Sequence, residues 1–139
     1  MKIQSLLLIC ILLFISLACG GIGLAYEHDL TADYAVWAPD LLEQAAVVQK
    51  SPQGSSASVI VPAMVIAYGW DDAFIIAQRH PEDGLDEVDE NLTEWYILVV
   101  ADGSLHGPLT ETAYLQQRQK LGVPDTLQFS QWIDADENP

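Results

Sequence analysis

Ala57-Ser58-Val59-Ile60-Val61-Pro62-Ala63-Met64-Val65-Ile66-Ala67-Tyr68-Gly69-Trp70-Asp71-Asp72-Ala73-Phe74-Ile75-Ile76-Ala77-Gln78 is the apolar heart of the chain beyond its N-terminus. Val59, Ile60, Val61, Val65 and Ile66 are β-branched, which favours strand over helix. Pro62 has no amide proton to give to a ladder, so it places this strand at an edge or bulges it. Gly69-Trp70-Asp71-Asp72 reads as a turn, where aspartate bonds nearby backbone. Ala73 to Gln78, with Phe74, Ile75 and Ile76, returns as the partner. The stretch is therefore a β-hairpin.

Working upstream, Ser51-Pro52-Gln53-Gly54-Ser55-Ser56 is a loop by composition. Tyr26 to Leu30 and Tyr34 to Trp37 are short aromatic strands, and Ala38-Pro39-Asp40 is a turn. Leu41 to Gln49 is a short helix or a strand, with Val47 and Val48 favouring strand. Downstream, Pro81 to Asn91 carries Glu82, Asp83, Asp86, Glu87, Asp89 and Glu90 and reads as an exposed acidic loop. Thr93 to Val100 is a further strand. Asp102-Gly103 begins a turn and Gly107-Pro108 closes it.

Thr110 caps a helix over 112–121, with Glu111 near its positive end and Arg118 and Lys120 near its negative end. Gly122 ends it and Pro124 forbids continuation. Leu127-Gln128-Phe129 suggests a last short strand. The expected fold is α+β: a small, mostly antiparallel β-sheet with one C-terminal helix packed on a face. Residues 26–130 form a single domain and 131–139 a frayed acidic tail.

The N-terminus is an export signal by layout. Met1-Lys2 supplies positive charge, and Ile3 to Ala18 is apolar except for Gln4, Ser5 and Ser16. At 16 residues it falls short of the roughly 20 that a spanning helix needs. Ile15-Ser16-Leu17-Ala18-Cys19-Gly20 resembles the lipobox of bacterial lipoproteins. A thiol is needed to take a diacylglyceryl group as a thioether, and a small residue before it lets a peptidase approach the bond. Cys10 fits poorly, because bulky Ile9 precedes it.

The expectation is a signal peptide over 1–18, a lipidated Cys19 with a tether to residue 25, and a domain outside the cytoplasm. It would be held at the cell membrane or outer membrane through two acyl chains. An ordinary cleaved signal and an uncleaved anchor are the competing readings.

Twenty Asp and Glu stand against five Lys and Arg, a formal net charge of −15. Lys2 lies in the segment expected to be removed, so the mature domain is more acidic still. Such a field repels phosphate backbones and anionic headgroups, and nucleic acid is discounted as a partner. Solubility of a tethered domain is the simplest use of the charge.

The only cysteines are Cys10 and Cys19, so the mature domain has no internal disulfide, thiolate metal site or catalytic thiol. His28, His80 and His106 come from three separate segments without the paired spacing of a zinc protease. There is no Gly-x-Ser-x-Gly elbow, and the proximity of Ser104 to His106 in sequence is not a triad. The acidic loop lacks the EF-hand pattern. No cofactor is expected and no catalytic residue is assigned.

The ordered set of lipobox, Ile60-Val61-Pro62-Ala63-Met64-Val65, Tyr68 to Ala77, Trp95-Tyr96-Ile97-Leu98 and Gly107-Pro108-Leu109-Thr110, followed by Tyr114 and Arg118, resembles a family of small, uncharacterised bacterial lipoproteins built on a domain of unknown function. The resemblance implies a compact lipoprotein domain with no assigned activity. The acidic loop after Pro81 departs from it as an elaboration. Four Trp and five Tyr are many for this size, and most should be core. Trp70, in its turn beside Asp71 and Asp72, is the candidate for a partner contact, although folding back over the hairpin competes with exposure. The leading expectation is a non-enzymatic lipoprotein that binds another envelope protein. A small-ligand or cation binder and an envelope hydrolase with an unrecognised site are the alternatives.

Overall fold

The structure is a computed structural model that describes residues 24–54, 56–82 and 88–133. The α+β class holds, with the strands divided between two antiparallel sheets. In the first, β1 (Tyr26–Asp29), β2 (Tyr34–Ala38), β3 (Ala46–Lys50) and β4 (Ala57–Val61) lie side by side in chain order. The second contains β5 (Val65–Trp70), β6 (Phe74–Arg79), β7 (Glu94–Val99), β8 (Ser104–Leu109) and β9 (Gln131–Trp132), ordered β8-β7-β6-β5-β9. One helix, α1 (Glu111–Leu121), precedes β9.

The division falls at Pro62. The run expected as one bulged strand is two, one in each sheet. Pro62 offers no donor to continue the first ladder, and Met64 takes a positive φ of 74°, turning the chain out of that sheet. The crossing is held at both ends: the Val65 amide donates to the Ala45 carbonyl at 2.9 Å, and the His80 amide to the Met64 carbonyl at 3.1 Å. The β5–β6 hairpin forms as expected, with Tyr68 opposite Ala77 and Trp70 opposite Ile75. Asp71 fixes its turn, its Oδ1 accepting from the amides of Ala73 and Phe74, both at 2.8 Å.

Alternation along the strands builds three layers. Val36, Ala38 and Val47 of the first sheet pack on Val65, Tyr68, Ala77 and Tyr96 of the second. The opposite face of the second sheet carries Ile76 and Ile97, covered by Tyr114 of α1 and by Val123 and Leu127 beyond it. The helix is capped as expected: Thr110 Oγ1 accepts from the Ala113 amide at 3.3 Å, and Gly122 adopts φ 73°. Tyr114 is its one buried side chain.

Two elements differ from expectation. Gly107-Pro108 lies within the edge strand β8 rather than in a connection, an edge being where proline is tolerated; Gly107 rests directly on the Tyr96 ring. The last strand forms at Gln131–Trp132, not at 127–129. The reason is Arg118, whose Nη2 donates to the carbonyls of Pro124 at 2.7 Å and Leu127 at 2.8 Å. Those carbonyls are taken, Leu127 is buried under the helix layer, and the chain reaches the sheet edge only at Ser130, whose amide donates to the Tyr68 carbonyl. The expected frayed tail thus begins with two residues of sheet; its remainder, from residue 134, lies outside the described residues, as do Cys19 and residues 83–87 of the acidic loop. Among the described residues no helix is long and apolar enough to cross a membrane.

Candidate functional site

Trp70 ends β5 half-buried, not as an exposed turn residue. Its ring packs against core residues of both sheets and meets the His28 ring edge-on, with centroids 5.0 Å apart. Asp71 is occupied by the turn, and Asp72 is exposed beside it. The three residues do not form a flat contact patch. The large exposed tryptophan is Trp132, with 67% of its surface accessible. Its position in a two-residue edge strand gave no local signal of exposure.

Beside Trp70 a half-buried polar cluster links the sheets, with only Tyr68 fully buried. The Tyr68 hydroxyl stands 2.6 Å from that of Tyr26 and 2.5 Å from His28 Nδ1. Tyr68 is wholly inaccessible, so its hydroxyl needs these partners. Burial, reinforced by Tyr26, pushes its ionisation far above the usual phenol range. The arrangement joins β1 of the first sheet to β5 of the second.

The other histidines are also apart. His80 Nδ1 donates to the Leu92 carbonyl at 2.9 Å, and His106 Nδ1 accepts from Gln117 Nε2 at 3.1 Å. Ser104 Oγ donates to Asp102 Oδ1 at 2.7 Å; Ser104 and His106 therefore have different partners. Among the described residues no group of three or more His, Cys, Asp and Glu is placed to hold a metal. Glu94 Oε2 accepts from Arg79 Nε at 2.8 Å and from the Tyr96 hydroxyl at 2.9 Å, a half-buried pair tying β6 to β7. Burial first, and then the Glu94 carboxylate, push the Tyr96 hydroxyl up to about 12.

A polar hollow lies by Asp33 and Lys50 and a mixed one by the end of α1, and an apolar one lies at the end of the sandwich opposite Trp70. A groove of 340 Å³ is lined by Leu42, Glu43, Met64, Val65, Ile66, His80, Val88, Glu90 and Ile133. Its residues converge because the chain crosses between sheets there. The 3-10 turn Leu42–Gln44 forms one side and the Met64 crossing the base. The end of β6, the returning side of the acidic loop and Ile133 complete it; the Ile133 amide donates to the Ile66 carbonyl at 2.9 Å.

The lining is graded. Val65 is buried, Met64, Ile66 and Ile133 are half-buried, and Glu43 and Glu90 are exposed. The floor is apolar and the rim is acidic. Large exposed apolar side chains gather here too: Val88 lines the groove, Leu41 adjoins Leu42, and Leu92 supplies the carbonyl held by His80. Sequence reading missed this site because it depends on the break at Pro62 and on the return of Ile133. Its one local hint was the apolar pair Leu41-Leu42 beside Glu43 in a polar turn.

No curated protein and no solved structure matches this chain. A family model described as "Protein of unknown function (DUF3997)" matches residues 31–134. That range begins after the apolar N-terminus, so the match says nothing of the export signal or the lipobox. The match takes in β2 to β9 and α1, leaving β1 just outside it, and the chain belongs to the DUF3997 family.

Proposed function

We propose that this chain is a non-enzymatic binding module, tethered by lipid on Cys19 to a membrane of the cell envelope, and that its groove receives part of another envelope protein. The observation that carries the reading is an apolar groove lined by exposed Val88, with exposed Leu41 next to its Leu42 and exposed Leu92 bonded to its His80. Grouped apolar side chains of this kind mark contact surfaces, whereas scattered ones do not. The tether rests on Ala18-Cys19 at the end of the apolar run.

Two measurements test the two halves. The mature N-terminal peptide should carry a diacylglyceryl mass on Cys19, absent from Cys19→Ser; an unmodified N-terminus beyond Cys19 in the wild type would end the lipid reading. Affinity capture after crosslinking in intact cells should recover one partner with the wild type and lose it with Val88→Lys, which puts a cation at an exposed groove position. Equal recovery with both would remove the groove from the account. A small organic ligand is the second reading, favoured by a volume at the lower end of the ligand-pocket range; a ligand that raises the melting temperature of the isolated protein would support it.

A further inference from the structure

Among the described residues no Lys or Arg lines the groove; His80 alone of the basic side chains shares it with Glu43 and Glu90. Of the five Lys and Arg, Lys50 pairs with Asp29 and Arg79 with Glu94. Arg118 holds backbone carbonyls and the Tyr114 hydroxyl. Lys120 lies exposed on α1, and Lys2 is outside the described residues. A partner that covers Glu43 and Glu90 must therefore bring positive charge, or leave two carboxylates poorly solvated at an apolar surface. The floor of Met64, Val65, Ile66 and Ile133 asks for something apolar, and a groove of 340 Å³ admits one or two side chains, not a folded element.

Resting on the reading of the groove as the binding site, we infer that its occupant is a short peptide segment in which Lys or Arg flanks a bulky aliphatic side chain. The aliphatic group fills the floor and the cation meets Glu43 or Glu90 at the rim. The acidic field of the whole domain draws such a segment in from a distance, and salt weakens that attraction.

The test uses the lipidated full chain in phosphatidylcholine nanodiscs, with empty nanodiscs as the blank. Fluorescent hexapeptides alternating Leu with Lys, Leu with Glu, and Ser with Lys are titrated by anisotropy. The Leu–Lys peptide should bind at least tenfold tighter than either control. Glu43→Gln with Glu90→Gln should weaken it about tenfold, in line with two partly exposed ion pairs, while Glu111→Gln with Asp125→Gln, equal in charge change but remote, should leave it within twofold. Equal binding of the Ser–Lys or Leu–Glu peptide would overturn the inference, and so would an equal loss from the remote pair, which would reduce the effect to bulk charge. If the Leu–Lys peptide fails while Val88→Lys still abolishes capture in cells, the partner's chemistry is wrong and the groove stands. If both fail, the groove reading falls with it.

Discussion

At the residue scale the hairpin's tightest requirement is Gly69. The segment after α1 crosses the sheet there, and a methyl group at position 69 would sit on the carbonyl oxygen of Gln128. Neither backbone can give way without breaking the approach of Ser130 to Tyr68. Gly69→Ala should therefore destabilise the fold by about 1–3 kcal/mol in denaturant titration; an unchanged midpoint would mean that the segment does not lie on the sheet. Tyr68→Phe should cost about 0.5–1.5 kcal/mol, because it removes the hydroxyl that bonds half-buried Tyr26 and His28.

Tyr96 makes a pH prediction. Its hydroxyl, ordinarily near 10.0, is pushed to about 12 by burial and Glu94. The folded state thus keeps a proton that the unfolded state releases first. The resulting stability is complete below pH 10 and is lost as pH rises towards 12. Tyr96→Phe should flatten the fall in stability over that window by up to one proton, and an unaltered slope would place Tyr96 in water.

At the element scale the sequence was legible wherever the signal was local. The β5–β6 hairpin and the capped helix were read from Asp71, Thr110 and Gly122, residues that act on neighbours a few positions away. What failed depended on distant partners. Nothing near Pro62 tells that β4 and β5 belong to different sheets, because β-branched residues run through on both sides. Gly107-Pro108 resembles a turn until the Tyr96 ring beneath Gly107 is known. The last strand is set by Arg118, which holds residues 124–127 against the helix and delays the return to the sheet. Arg118→Lys loses the planar fork that reaches Tyr114, Pro124 and Leu127 together. It should speed amide exchange over 127–133 by tenfold or more while leaving the β5–β6 amides unchanged. Uniform acceleration would make Arg118 a general core residue.

At the scale of the whole molecule, the two ends of the sandwich are built differently. The Trp70 end is closed by aromatic packing and the Tyr26–His28–Tyr68 bonds. The Pro62 end is left concave by the crossing. The candidate contact residues named from sequence lay at the Trp70 end, since an aromatic residue in a turn carries a visible signal, whereas a groove assembled from five segments shows only the faint hint of Leu41-Leu42 beside Glu43. On the proposed reading, the strong negative charge of the chain biases the groove towards cationic partners without contributing to the fold.

The central claim is that the groove is where this protein meets another. A photo-crosslinking amino acid placed singly at exposed positions in intact cells tests it without disturbing the core. Val88 lines the groove and Leu41 adjoins its Leu42, while Leu115 lies on α1 and Val59 on β4, all exposed. The account predicts one adduct of common mass from Leu41 and Val88 and none from Leu115 or Val59. Adducts from Leu115 or Val59, with none from the groove positions, would contradict it.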